Sequence, residues 1–238
     1  MLNMIECENY REMSSRCAEE LLLVERNPRA KIILATGNSP LLTYRLFVKE
    51  IIHKQINISE VTWIKLDEWA GLPEENPATC EYFINKEILS PLNIKKDKYI
   101  TFGGKGKNIN QECEKVENLL GEIGKIDAAV VGIGRNGHIG LNEPAKELNI
   151  GAHCVKLDTI TKTYKMLTSS GEHHVEYGIT LGLDQILSAE RLIVLATGEG
   201  KQNVYKKMTE RKILTEVPAT MLHLHRNAVC YVDVSSTK

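Results

Sequence analysis

The chain has 238 residues, 42% of them hydrophobic and 26% charged, with a formal net charge of -1. That length suits one large α/β domain, and the near-neutral charge excludes a broad field that would draw nucleic acid or an anionic membrane. No run of about 18 apolar residues is present, and Met1–Tyr10 is polar and acidic with no apolar leader core, so a cytoplasmic protein without a signal peptide is expected.

In chain order, Asn9–Arg26 reads as a helix, Lys31–Ala35 as a strand, Leu41–His53 as a helix, and Val61–Leu66 and Tyr99–Phe102 as strands. Gln111–Ile123 follows as a helix, Asp127–Val131, Tyr177–Leu181 and Arg191–Ala196 as strands, Lys201–Thr209 as a helix and Ala228–Val234 as a strand. Several of these strands are apolar almost throughout, which fits burial on both faces. The alternation predicts a single-domain α/β fold: an open, mainly parallel twisted sheet with helices on both faces. No repeat or linker divides 1–238. Gly137–Gly171 carries no strand signal and is polar in its second half, so a lid is expected within 145–175. The six cysteines form no C-x-x-C pair. Reduced, mostly buried thiols and no zinc site are expected.

Four motifs follow four of the strands, and ligands of an open parallel sheet bind outside the strands' carboxyl ends. Thr36-Gly37-Asn38-Ser39-Pro40 precedes a helix, so Gly37, Ser39 and Thr43 are candidates for holding a phosphate at that helix's N-terminus. The plain alternative is a strand–turn–helix connection with Ser39 as cap and Pro40 at the first helical position. Asp67-Glu68 beside Trp69 places two carboxylates at a strand end, where desolvation of one would suit a general base; otherwise the pair is a solvated acidic turn.

Gly132-Ile133-Gly134-Arg135-Asn136-Gly137-His138 contains a G-x-G-x-x-G match, but Gly140 and Pro144 forbid the long helix that a dinucleotide site requires. The segment reads instead as a compact loop bearing side chains. In it Glu143 can fix the tautomer of His138, unless His138 is simply a solvated loop residue. Thr197-Gly198-Glu199-Gly200-Lys201 offers a second anion site with Lys201 as a point charge, or an exposed lysine in a helix's first turn. It lacks the spacing of a Walker A loop. His223 and His225 alternate along what reads as a strand entry; they match no ligand or triad spacing and read as structural or solvated.

Taken together, Thr36-Gly37-x-Ser39-Pro40-x-x-Thr43-Tyr44, Leu66-Asp67-Glu68-Trp69, Gly132-x-Gly134-x-Asn136-Gly137-His138-Ile139-x-x-Asn142-Glu143-Pro144 and Gly198-Glu199-Gly200-Lys201 resemble the glucosamine-6-phosphate deaminase/isomerase family. That family shares a superfamily with 6-phosphogluconolactonase, and within it the chain looks closest to the galactosamine-6-phosphate branch. The resemblance implies conversion of galactosamine 6-phosphate to tagatose 6-phosphate and ammonia, or of glucosamine 6-phosphate to fructose 6-phosphate. It implies no metal and no organic cofactor, an amino-sugar phosphate as the ligand, no nucleic acid or membrane partner, and leaves a homo-oligomer open. Asp67 would be the C2 base, His138 would open the ring, and Glu143 and Asn136 would support His138. Gly37, Ser39, Thr43 and Lys201 would hold the phosphate, with Thr36, Glu68 and Gly137 as further substrate contacts. Two departures stand out. Asn136 replaces an aspartate usual in the glucosamine enzymes, and no arginine lies between Arg135 and Arg191, where the family has a phosphate-binding lid arginine. Lys165 is the nearest substitute.

Two rival readings carry weight. A 6-phosphogluconolactonase shares the Gly-rich loop, but Asn142-Glu143-Pro144 and Leu66-Asp67-Glu68-Trp69 favour the deaminases. A non-catalytic sugar-phosphate sensor would carry a DNA-binding unit, and the roughly 30 residues before Lys31 are too few and not basic.

Overall fold

The computed structural model describes residues 2–104, 109–168, 171 and 174–237, apart from the side chains of Lys165 and Thr237. Seven strands form one sheet: β1 (Asn3–Cys7), β2 (Lys31–Leu34), β3 (Thr62–Lys65), β5 (Tyr99–Ile100), β6 (Ala128–Gly132), β9 (Arg191–Ala196) and β10 (Ala228–Asp233). Their order is β1-β10-β9-β6-β2-β3-β5, and every pairing is parallel. Three strands form a second, antiparallel sheet, β4-β8-β7, built from β4 (Asp67–Trp69), β7 (His153–Lys156) and β8 (Tyr177–Thr180).

Side chains alternate across each main-sheet strand, and that alternation sorts the core into two layers. Ile32, Leu34, Trp63, Val130, Ile193 and Leu195 pack against α1 (Tyr10–Leu21), α2 (Asn38–Lys54) and α3 (Cys80–Ile84). Ile33, Ile64, Leu66, Val131, Val194 and Cys230 pack against α4 (Ile109–Ile123) and, further along the chain, α7 (Gln202–Thr209). The short helices α5 (Lys165–Thr168) and α6 (Leu183–Leu187) precede α7 in the chain. From β2 the sheet grows through β3 and β5 on one side, and through β6, β9, β10 and β1 on the other. The reversal between β2 and β6 opens a crevice where the loops after those two strands diverge.

Four sequence expectations change. Residues before Lys31 hold strand β1, a short edge strand paired with β10, as well as a helix. His153–Lys156 is a strand although it is half-exposed and has no apolar run to announce it. Tyr177–Thr180 is a strand of the small antiparallel sheet, not of the parallel one; its apolar run cannot tell which sheet buries it. Pro218–Leu224, which contains His223, is a 3-10 helix and not a strand entry. His223 Nε2 lies 2.7 Å from the Met208 carbonyl and His225 Nε2 2.6 Å from that of Ala189, so both are structural.

Leu66 is where the chain passes between the sheets. Its N–H donates to the Leu34 carbonyl of the parallel sheet, and its own carbonyl accepts from Leu181 N beside β8. Asp67 follows at that junction and pairs with Thr180. Glu68 fastens the junction to α3: Oε1 accepts from Trp69 N at 2.8 Å and Cys80 N at 2.9 Å, and Oε2 from Glu81 N at 2.8 Å and Lys65 Nζ at 2.9 Å. Lys65 Nζ also donates to Glu81 Oε2 at 2.8 Å. Burial alone would push the Lys65 amine down, but the charges of Glu68 and Glu81 outweigh it and hold its pKa above the ordinary value. Glu68 is therefore not a substrate contact. It is 2% exposed, with both oxygens occupied by the protein.

Candidate active site

The crevice at the sheet reversal is a cavity of about 840 Å³, lined from four strand ends by Thr36–Ser39, Asp67, Gly132–Arg135 with His138, and Thr197–Glu199 with Lys201. That volume lies within the range of ordinary small-ligand sites, roughly 300–1,000 Å³. The four motifs of the sequence therefore meet in one place.

Asp67 forms one wall. It is 8% exposed, and burial, with the neighbouring Glu68 charge next, pushes its pKa up to about 7. His138, a hydrogen bond from Cys80 and Lys65 pull it the other way, less strongly. Of the adjacent carboxylates, Asp67 and not Glu68 faces the cleft.

The second wall is His138, held from behind. Its Nδ1 lies 3.1 Å from Glu143 Oε2 and 3.1 Å from the Thr161 hydroxyl, and the Tyr164 ring meets it edge-on at 5.6 Å. Asn136 Nδ2 donates to Glu143 Oε2 at 2.7 Å, and Asn136 Oδ1 accepts from His138 N at 3.2 Å. Burial alone would raise the Glu143 carboxyl, but hydrogen bonds from His138, Thr161 and Asn136 and the His138 charge together hold it below the usual range. An ionised Glu143 places the imidazole proton on Nδ1 and leaves Nε2 free to take a proton. The ring edge lies on Gly134, where a Cβ would come 2.4 Å from Nε2, so only glycine fits there.

The third wall is basic. Lys201 is 8% exposed, its Nζ donates to the Thr197 carbonyl, and burial, with the Arg135 charge next, lowers its pKa to about 8. Arg135 reaches the same space. Its Nη2 donates to the Thr163 hydroxyl at 2.5 Å, and its guanidinium lies 5.1 Å from the centre of the Tyr164 ring. Opposite, α2 begins with Gly37 as its N-cap at φ +91 and with no side-chain cap. Ser39 is therefore inside the helix and not its cap, and the first-turn N–H groups at Gly37–Ser39 border the cleft.

Residues 8–231 match the family described as glucosamine-6-phosphate isomerases/6-phosphogluconolactonase. The chain belongs to this enzyme family. It is 44% identical over 230 residues to the Escherichia coli (strain K12) protein named "Putative deaminase AgaI", covering 96% of this chain and 90% of that one. To a glucosamine-6-phosphate deaminase of Clostridium perfringens (strain 13 / Type A) it is 35% identical over 239 aligned positions, covering 100% and 99%. A solved monomeric glucosamine-6-phosphate deaminase of the NagB superfamily superposes with a TM-score of 0.91 at 28% identity over the whole of both chains. A 6-phosphogluconolactonase of Thermotoga maritima, at 17% identity and a TM-score of 0.75 with 98% and 99% covered, shares the fold.

Against the family pattern, several sequence candidates move. Thr43 is fully buried within α2 and does not line the cleft, because its side chain turns into the core one helical turn past the N-terminus. Gly137 also lies off the cleft: its carbonyl accepts from Ala219 N at 2.7 Å, so it braces the loop. The Lys165 side chain lies outside the described residues. Gly37, Ser39, Thr36, Asp67, His138 and Lys201 all line the cavity, while Asn136 and Glu143 stand behind His138. Sequence reasoning missed Arg135 by looking for a lid arginine only downstream of it. The available signal was a guanidinium next to Gly134, in the loop that ends a strand.

The raised Asp67 pKa is also a statement about stability. Ionising the folded-state carboxyl costs free energy that is absent below its unfolded pKa and complete above about 7. Asp67→Asn should therefore raise the melting temperature at about pH 8 by several degrees, a gain of at most roughly 3–4 kcal/mol. The gain should shrink steadily towards about pH 5. Thermal unfolding of the two proteins across that range checks it, and a gain independent of pH would be the wrong result.

Proposed function

We propose that this chain deaminates and isomerises a 2-amino-2-deoxyhexose 6-phosphate, with galactosamine 6-phosphate as the substrate, giving tagatose 6-phosphate and ammonia. The observation that carries the reading is the pair of opposed walls: a carboxyl poised near neutrality on one, and an imidazole with an anionic partner on the other. Two carboxyl groups whose environments drive their pKa values apart are the mark of an acid–base site.

His138 Nε2 takes the proton of the anomeric hydroxyl and delivers it to the ring oxygen, opening the ring, while Glu143 stabilises the transient imidazolium. Asp67 then removes the C2 proton of the open-chain form and returns it at C1, through an enolamine. Water adds to the resulting C2 iminium carbon and ammonia leaves, giving the ketose. Positioning the sugar by its phosphate turns these into effectively unimolecular steps. The phosphate lies among the N–H groups of Gly37–Ser39, Lys201 and Arg135, with Arg135 in the role that a lid arginine would otherwise fill. Thr161–Tyr164, inside the stretch read as a lid, forms the closing edge over the sugar. Its contacts with His138 and Arg135 support that placement.

The galacto preference rests on the sequence resemblance of the loop and strand motifs. Glucosamine 6-phosphate is the second reading, favoured by the full-length similarity to glucosamine-6-phosphate deaminases. Ammonia release from the two epimers under identical conditions separates them, and binding of both without release would overturn the enzymatic reading in favour of a sensor. For the preferred epimer, kcat/KM should be bell-shaped in pH. It should rise as Asp67 ionises near 7 and fall as Lys201 loses its proton near 8. Arg135→Gln should raise KM by about 10–100-fold, the loss of one charge-assisted contact, with a smaller change in kcat. An unchanged KM, and unchanged inhibition by inorganic phosphate, would remove Arg135 from the anion site.

A further inference from the structure

Behind Asp67 lies a group that the reaction as described does not use. Cys80, the first residue of α3, points its thiol at the carboxyl, with Sγ 3.6 Å from Asp67 Oδ1. The Thr36 hydroxyl, at the end of β2, donates to the same sulfur at 3.1 Å. Cys80 is held in place independently, since its backbone N–H is bonded to Glu68 Oε1 and Thr79 caps the helix that it starts. Asp67 Oδ2 has no hydrogen-bond partner among the described residues.

We infer that Cys80 is a positioning residue for the base: it takes a hydrogen bond from Thr36, gives one to Asp67 Oδ1, and so leaves Oδ2 as the oxygen that meets the substrate. The direction of the relay follows from the chemistry of its members. An ionised carboxylate can only accept, so the thiol must donate to it, and the sulfur is left to accept from the threonine. The thiol keeps its proton, because burial, with the charges of Glu68 and Asp67 after it, pushes its pKa well up. Two strand-end motifs are then joined. Thr36 comes from the phosphate-side loop, Asp67 from the sheet junction, and Glu68 fixes the thiol between them. The inference rests on Asp67 as the base.

The rival role for Cys80 is filling space, since it also packs in the small apolar cluster with Trp69, Leu72 and Ala78. The pH profile tells the two apart. The groups that face Asp67 are Glu68 on its own strand, Lys65 of β3, His138 from the loop after β6, Tyr44 of α2 and Cys80 itself. Only the last changes in the test. Cys80→Ala should move the acidic limb of kcat/KM up by about half a pH unit, the effect of losing a weak donor to a charge. Cys80→Ser, which keeps a donor, should return the limb to the wild-type position or below it. Thr36→Val, which leaves the thiol in place but without its own donor, should move the limb upward by less than Cys80→Ala does. The carboxyl carbon-13 shift of Asp67, titrated in the same proteins without substrate, reads the same ionisation whether or not any sugar turns over. An Asp67 titration that stays put in Cys80→Ala, or that moves equally in Cys80→Ser, overturns the positioning role. The proposed function fails separately, by the absence of ammonia release from the wild-type protein.

Discussion

Lys65 is bonded to Glu68 and Glu81 and not to Asp67, and the chemistry of the cleft depends on that allocation. A buried lysine one strand-turn away from a buried aspartate would ordinarily pair with it and hold it firmly ionised. Here the ammonium is occupied by two other carboxylates, one of which also gathers three backbone N–H groups. Asp67 is left out of water, next to a negative neighbour, with a thiol as its hydrogen-bond donor. The network that fastens α3 to β4 is thus also what keeps Asp67 near neutrality.

The opposite wall solves the converse problem. Glu143 is as buried as Asp67, yet hydrogen bonds from an imidazole, a hydroxyl and an amide keep it ionised. Asn136 supplies one of these and also binds the His138 backbone, so it supports the pair by geometry without adding charge. Two carboxyl groups of similar exposure thereby end with opposite tendencies: Asp67 has a like charge beside it and a weak donor, whereas Glu143 has an imidazole, a hydroxyl and an amide around it. The basic wall follows the same logic, since Arg135 and burial together bring Lys201 within reach of neutrality. An incoming dianion would reverse that by restoring the lysine's charge partner.

Much of this was legible in the sequence. The strands buried on both faces, β2, β3, β6, β9 and β10, are the apolar runs, because a doubly covered strand has no polar face to disguise it. The convergence of Asp67, His138 and Lys201 follows from their all standing after parallel strands. What was hidden depends on tertiary context. β7 is short and half-exposed, and β8 carries an apolar run that gives no sign of its sheet. Thr43 lies one helical turn beyond the cleft-facing N–H groups, and only the orientation of α2 shows that it turns inward. Glu68 and Asp67 are adjacent, so alternation along β4 sends them opposite ways, and the sequence does not say which one meets the cleft. Cys80 and Thr36 are 44 residues apart and carry no shared motif.

In the proposed reaction everything turns on Asp67 exchanging the C2 hydrogen of a bound amino-sugar 6-phosphate. Proton NMR of galactosamine 6-phosphate with the enzyme in deuterium oxide follows that hydrogen directly. The C2 hydrogen of the bound sugar should be removed at a rate that climbs as Asp67 ionises near 7 and that vanishes in Asp67→Asn. A rate indifferent to pH and undiminished in that variant would contradict it.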